Sequence, residues 1–433
     1  MAEMATSGKL KREVGVFGAT MMGIGSMVGA GVFVSIGIAA GIAGPAVLLA
    51  IALAAVVATC NALSSAQLAA SMPVSGGTYE YGYAYLTPWL GFTAGWMFLC
   101  AKTASAATAA LGFAGYLLQL LGLQSLVVPV AVAAVVALTA VVVMGIRRSN
   151  RANIVIVSVT LFALVFFVLA GLPQVWSKGA VPWLPFLRPA AEGSPWPGLL
   201  EATALMFVAF TGYARIATLG EEMRDPTRTI PRAIIYTLVV SAILYIAVAA
   251  VGITAVGPEA LAQAARTEVA PLVAAARSFD FPAAYLIVSV GAVTAMLGVA
   301  LNLILGLSRV VLAMGRRADM PRLFARVDGS GSPTPAIIAA GTAIAALALI
   351  GNVEVTWSFS AFTVLIYYAI TNLAALRLPA PKRLYSPAIA WAGLAACLGL
   401  AFFVEREVWM VGLALIAAGL LWHGLRRYVG KAA

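Results

Sequence analysis

The chain has little of what most catalytic chemistry needs. It contains one histidine and three cysteines in 433 residues. With His423 alone, no Ser/His/Asp set can be assembled, and no His/Cys/carboxylate cluster has metal-ligand spacing. Cys60, Cys100 and Cys397 all fall inside apolar runs, so no disulfide framework is implied. Charge is scarcer still. Only 10% of the residues are charged, against about 25% in soluble domains, and no carboxylate lies deep in an apolar run: Glu80, Glu201, Glu222 and Glu354 all sit near run ends. No enzyme and no cofactor is expected.

What is present is apolar sequence. Hydrophobic residues make up 62% of the chain, and the mean hydropathy is +1.00. A membrane-crossing helix needs roughly 20 apolar residues. Twelve candidate spans follow, at about 14–40, 45–71, 89–121, 126–146, 151–172, 198–219, 233–256, 282–315, 334–351, 355–378, 385–404 and 406–425. The connections are short, so one all-α transmembrane domain over 1–433 is expected, with the lipid bilayer as its surroundings. Lys9, Lys11 and Arg12 run straight into a full-length span, so no cleavable signal peptide is expected.

The net charge of +11 could suggest a nucleic-acid partner, but its distribution argues against one. If both termini are cytoplasmic, only Lys178, Arg188, Arg266, Arg277 and Arg406 fall on the opposite side, and Lys102 on neither. The other 21 of the 27 basic residues are then cytoplasmic, as the positive-inside rule requires. The expected location is the plasma (inner) membrane, multi-pass.

Two spans are interrupted in corresponding places. Span 1 contains Gly23-Ile24-Gly25-Ser26-Met27-Val28-Gly29-Ala30-Gly31-Val32-Phe33, and span 6 contains Phe207-Val208-Ala209-Phe210-Thr211-Gly212-Tyr213. Broken helix is tolerated in a bilayer only where protein or a cavity satisfies the backbone. A matched pair of such breaks points to a secondary transporter's binding site, here for a small zwitterion. Gly25-x-x-x-Gly29 also fits plain small-residue packing, which leaves the other glycines of the run and Ser26 unexplained. Phe207 and Phe210 alone would read as a core stripe. Gly23-x-Gly25 is not a dinucleotide fingerprint, since Val28 stands where the third glycine should be and no strand precedes it. Spans 1 and 6 head two groups of five. Five is odd, so the second group enters the membrane in the opposite sense: an inverted repeat of about 14–172 and 198–378, with spans 11 and 12 (about 385–425) appended.

Other segments leave two readings open. Residues 221–232 form either a solvated loop or an inner-gate ion-pair set. Tyr79, Tyr81, Tyr83 and Tyr85, after Pro73-Val74-Ser75-Gly76-Gly77, suggest an interfacial helix at headgroup level, as Trp176, Trp183 and Trp196 suggest for 173–197. His423 reads as an interfacial residue. Lys102 stands about 13 residues into span 3, roughly 20 Å along the helix. An intramembrane charge is a functional hypothesis by default; a lysine bound to helix C-terminal carbonyls is the structural one.

The run ending Gly29-Ala30-Gly31-Val32-Phe33, the span 6 break and Asp225-Pro226-x-x-x-Ile230-Pro231-Arg232 resemble the amino acid–polyamine–organocation (APC) superfamily. Within it the chain is most similar to ApcT-like proton-coupled permeases and the cationic amino-acid transporter branch, over about 14–425. The resemblance implies a LeuT-like fold with helices 1 and 6 unwound at mid-membrane, and a small amino-acid substrate. Its carboxylate would meet N–H groups around Ala30 and Gly31, with Gly25, Ser26 and Gly29 also in the substrate site. Its amine would meet carbonyls near Met27, Val208 and Thr211, with Phe207 or Phe210 as a lid. ApcT-like permeases carry a span 5 lysine where this chain has Thr160, and sodium-coupled relatives place span 8 hydroxyls where it has Ala295-Met296-Leu297-Gly298. Lys102 is therefore the expected proton-coupling group. Without a buried carboxylate, neutral substrates are expected first, anionic second and cationic third. An obligate exchanger and a non-transporting sensor are the alternatives; the short tails count against the sensor.

Overall fold

A computed structural model describes residues 14–72, 76–144, 150–179, 181–187, 194–217, 223–328 and 332–432. Lys9, Lys11, Arg12, Pro73, Val74, Ser75, Arg147, Arg148, Arg188, Glu221 and Glu222 lie outside them. Among the described residues the chain is helical, apart from one isolated bridge between Val14 and Met223. Seven helical stretches are long and apolar enough to cross a membrane, and four shorter apolar helices accompany them.

Span 1 is three pieces: α1 (Val16–Met27), α2 (Ala30–Phe33) and α3 (Ser35–Ala43). Gly44, at φ 60°, turns the chain into α4 (Val47–Ser71). The short α5 (Thr78–Tyr85) precedes α6 (Pro88–Leu121), 34 residues and about 51 Å long. Its start is fixed by Thr87, which accepts the Leu90 N–H, and by Pro88 at the first turn; Gly122, at φ 69°, ends it. Then come α7 (Val127–Val143), α8 (Asn150–Lys178), α9 (Trp196–Phe210) and α10 (Ala214–Ala217). The remainder is α11 (Pro226–Val256), the short α12 (Pro258–Thr267) and α13 (Pro271–Ala276), α14 (Ala284–Arg316), α15 (Thr334–Ala348), α16 (Val353–Leu376), α17 (Pro387–Ala401) and α18 (Arg406–Ala432).

The outer surface is apolar at helical spacing. On α8, Val155, Phe162 and Leu169 are each about 60% exposed and lie seven residues apart. Such a stripe is stable only against hydrocarbon. Inside, α6 and α16 pack through small residues and paired hydroxyls: Ser105 to Ser360 at 2.7 Å and Thr108 to Thr356 at 2.8 Å. In lipid, packing and such hydrogen bonds hold helices together, because water supplies no hydrophobic drive between them.

Two expectations need correction. Tyr79 and Tyr81 are 1% and 2% exposed, so these two rings pack inside protein rather than against headgroups, while Tyr83 and Tyr85 are half-buried. His423 is 1% exposed and not interfacial: it stacks on Phe92 at 4.6 Å, with Nδ1 3.1 Å from Asp319 Oδ1. The cause is Asp319, just past α14, whose Oδ2 accepts from both Tyr79 and Tyr83 at 2.6 Å. Burial, then the Asp319 hydrogen bond, raises both phenols above their ordinary range, so they remain donors at any physiological pH. The 221–232 connection, read two ways above, is described only from Met223 on. Its described ion pair, Arg228 to Asp225 at 3.8 Å, is local and solvent-exposed, which favours the solvated-loop reading for that pair.

Asp319→Ala strands the buried Tyr79 phenol and the half-buried Tyr83 phenol. Hydrogen bonds to a charged acceptor contribute about 1.5–3 kcal/mol each. The variant's apparent melting temperature in detergent should drop by several degrees, and Asp319→Asn, which keeps an acceptor, should drop less. Equal melting of Asp319→Ala and wild type would show that the cluster contributes nothing.

Candidate substrate site

The break in span 1 is real and short. Val28 (φ −80°, ψ 95°) and Gly29 (φ −165°, ψ −127°) leave helical geometry between α1 and α2. Among the described residues, no backbone carbonyl takes the N–H groups of Gly29, Ala30 and Gly31. Span 6 differs from expectation. It does not unwind but tightens into a 3-10 turn, Thr211–Tyr213, between α9 and α10. A 3-10 turn keeps its backbone bonded at i+3, so it frees fewer carbonyls than an extended segment.

The two interruptions touch. A Cβ placed on Gly212 would lie 2.5 Å from the Ser26 carbonyl carbon and oxygen, so only glycine allows this approach. The glycines of span 1 serve packing too: a Cβ on Gly25 would meet Val157 at 2.6 Å, on Gly29 Val299 at 2.7 Å, and on Gly31 Ala209 at 2.5 Å. The close-packing and broken-helix readings hold together.

A cavity of about 350 Å³ starts beside this junction, lined there by Ser26, Lys102, Thr211 and Gly212. It continues along one face of α14 (Val299, Asn302, Gly306, Arg309, Ala313, Arg316) and past Phe98, Gly76, Gly77 and Tyr367. That end of the bundle carries most of the described arginines. Towards the opposite end the path is filled: Val32, Phe33, Phe207 and Phe210 are all at 0% exposure, and Tyr116 OH donates to the Phe33 carbonyl at 2.6 Å.

Of the expected site residues, Ser26, Thr211 and Lys102 line the cavity. Gly25, Met27, Gly29, Ala30, Gly31, Phe207, Val208 and Phe210 do not. Several of the expected carbonyls already have donors. Tyr245 OH reaches Met27 O at 2.9 Å and Ala209 O at 3.2 Å, Thr211 Oγ1 takes Val208 O at 2.8 Å, and Tyr368 OH reaches Thr211 O at 3.4 Å. The expected lid aromatics pack inward, Phe210 on Tyr245 at 5.1 Å and Phe207 on Tyr368 at 5.6 Å.

Lys102 is 7% exposed, and its Nζ donates to Thr211 Oγ1 at 2.8 Å. This places an ammonium at the C-terminal end of α9, where the helix dipole favours a cation. Among the described residues, no carboxylate lines the cavity. Sequence reasoning missed Asn302, Tyr245 and Tyr367, and treated Arg309 only as peripheral charge. Asn302 had a signal, being the one amide in span 8.

A broken helix buried among spans, a cavity reaching the break and an intramembrane lysine define a membrane transporter. The chain belongs to the amino acid permease family, whose model matches residues 18–426. An uncharacterised transporter of Mycobacterium tuberculosis is 42% identical over 430 residues, covering 98% of this chain and 93% of that protein. The branched-chain amino acid permease BcaP of Bacillus subtilis is 30% identical over 355 residues, 75% of this chain and 71% of its own length. Cationic amino acid transporter 4 of Mus musculus is 29% identical over 422 residues, 91% of this chain and 64% of its own length. The protein is thus a multi-pass membrane transporter of the amino acid permease family and not an enzyme.

Proposed function

We propose that this protein is a secondary active amino-acid transporter of the plasma membrane, proton-coupled and sodium-independent, working by alternating access. The observation that carries the reading is the cavity that reaches the touching interruptions of spans 1 and 6 with Lys102 beside them. The reading includes twelve spans in a LeuT-like five-plus-five inverted repeat and cytoplasmic termini. The clustering of arginines at the end of the bundle towards which the cavity runs along α14 supports that orientation. In this conformation the cavity then faces the cytoplasm.

Substrate binding falls at the junction. The unsatisfied N–H groups of Gly29, Ala30 and Gly31 suit a carboxylate once α2 separates from α9; in the present conformation Ser26, Thr211 and Lys102 are the groups within reach. All charged residues among the described lining of the cavity are basic, which disfavours cationic side chains and leaves neutral amino acids first and anionic ones second. BcaP, named for branched-chain amino acids, supports that order; cationic amino acid transporter 4 does not.

Sodium independence is supported by span 8, where Ala295-Met296-Leu297-Gly298 carries no hydroxyl ligand; the hydroxyls nearby bond to their own helices. Thr160 Oγ1 donates to Ile156 O at 2.9 Å and Thr294 Oγ1 to Val290 O at 2.7 Å, each within its own helix. Purified protein in liposomes should take up labelled L-leucine when the outside is acidified, and sodium at constant pH should change the rate less than twofold. A steep rise with sodium would overturn the ion assignment. No uptake or exchange of any amino acid would overturn the transporter reading itself. One observation favours a second reading, obligate exchange without ion coupling: the Lys102–Thr211–Val208 chain is also what a structural lysine would make. Counterflow without net uptake would support it.

A further inference from the structure

The cavity face of α14 is uneven in charge. Arg309 and Arg316 both line it, and among the described residues neither has an ion pair or a hydrogen bond. Three other arginines at this end of the bundle are held. Arg317 pairs with Glu80 and lies 4.5 Å over the Tyr83 ring; Arg426 donates to Met320 O at 3.0 Å, and Arg383 to Leu378 O at 2.8 Å. Arg316 ends α14, so its exposure needs no further reason. Arg309 lies seven residues deeper, about 10 Å along the axis, and Asn302 the same distance deeper again. With no carboxylate among the described residues that line the cavity, the guanidinium fork of Arg309 faces a basic, water-accessible space without a described partner. Guanidinium matches a carboxylate in a two-bond geometry that a point charge does not offer.

We propose that Arg309, assisted by Asn302, is a second carboxylate site in the arginine-rich half of the cavity, separate from the helix breaks. It takes the α-carboxylate of a substrate entering or leaving on that side. The inference rests on the transporter reading above and adds a station, and a charge filter, to its path. A zwitterion or an anion is held there, whereas a substrate of net charge +1 meets Arg309, Arg316 and Lys102 with nothing to offset them.

The test uses Gly306→Cys, because a Cβ at Gly306 meets no atom within 4 Å and the position lines the cavity. Labelling by a charged, membrane-impermeant thiol reagent is measured in purified full-length protein, relative to wild type with its native cysteines. L-leucine, L-glutamate, L-lysine and acetate are the protecting probes. L-leucine and L-glutamate should slow labelling and L-lysine should not; acetate should protect only at far higher concentration. Adding Arg309→Gln should raise the half-protecting concentration of L-leucine at least tenfold, and Arg309→Lys should restore part of it. In liposomes of defined orientation, Arg309→Gln should raise half-saturation at least tenfold from the arginine-rich side and less than twofold from the other. Unchanged protection in Arg309→Gln, equal protection by L-lysine, or equal shifts from both sides would overturn the proposal. Protection equally strong with acetate would assign the site to free anions and overturn it as a substrate station. If wild type neither moves nor is protected by any amino acid, the transporter reading has failed first.

Discussion

Lys102→Ala should abolish accumulation of substrate driven by a pH gradient while leaving a folded protein that still exchanges substrate for substrate. With one proton per substrate, a one-unit gradient supports about tenfold accumulation, since one unit is worth about 1.4 kcal/mol. That ratio should fall to one. Lys102 is 7% exposed, donates to Thr211 at 2.8 Å, and among the described residues shares its cavity with no carboxylate. Burial disfavours the charged form of an amine, so opening the cavity to water on either side changes the cost of holding the proton. The Thr211 contact passes that change to the end of α9, where the helix tightens beside Ser26. Alanine removes the proton and the tie together. Lys102→Arg keeps a charge that cannot be released and should lock one conformation, losing exchange as well. If Lys102→Ala still concentrates substrate on acidification, coupling lies elsewhere and the lysine is structural; the exchanger reading gains if trans-substrate alone drives flux.

Gly31→Leu should reduce transport by at least about a hundredfold, but not by filling the cavity. Gly31 faces α9, where a Cβ would lie 2.5 Å from Ala209 Cβ and 2.8 Å from its Cα. A real Cβ does not tolerate such contacts, and interiors are too densely packed to absorb a leucine there. The side chain should wedge α2 away from α9 and hold the end opposite the cavity open. Phe207, now fully buried, should then become reachable: a Phe207→Cys thiol should label from outside only in the Gly31→Leu background. Gly31→Ala should lose about tenfold, and Ala209→Gly, which removes the closer contact, should restore most of it, as expected for coupled neighbours. Transport retained within a few-fold by Gly31→Leu, or no rescue by Ala209→Gly, would show that α2 and α9 need not close on each other.

Legibility differed from one element to the next. The break at Val28–Gly29 was readable because dense glycine costs a helix stability, and small-residue packing alone requires neither so many glycines nor Ser26. Lys102 was readable because a charge at mid-span is costly wherever it points. The tightening at Thr211–Tyr213 was placed correctly but its geometry was not, because Phe-Thr-Gly-Tyr is compatible with either an extended or a 3-10 segment. His423 was misread because its burial depends on Asp319, 104 residues earlier in the chain, and on Phe92 and Trp89. Tyr79 and Tyr81 of α5 were misread for the same reason: amphipathic rings suit a headgroup layer and a buried carboxylate equally well.

By itself the sequence determined the membrane class, the helical composition, the positions of the two interruptions and the scarcity of acidic groups along the spans. These are properties of local composition and period, which a bilayer enforces strongly because unsatisfied backbone has no solvent there. The tertiary structure alone decided which polar groups share a space. It put Ser26, Thr211 and Lys102 on the cavity with Asn302 and Arg309, and turned Phe207, Phe210 and Gly31 away from it. It also gave the carbonyls of Met27 and Ala209 to Tyr245. Such assignments depend on how helices from distant parts of the chain rotate against one another. A rotation of one residue, about 100°, turns a cavity wall into a packed face.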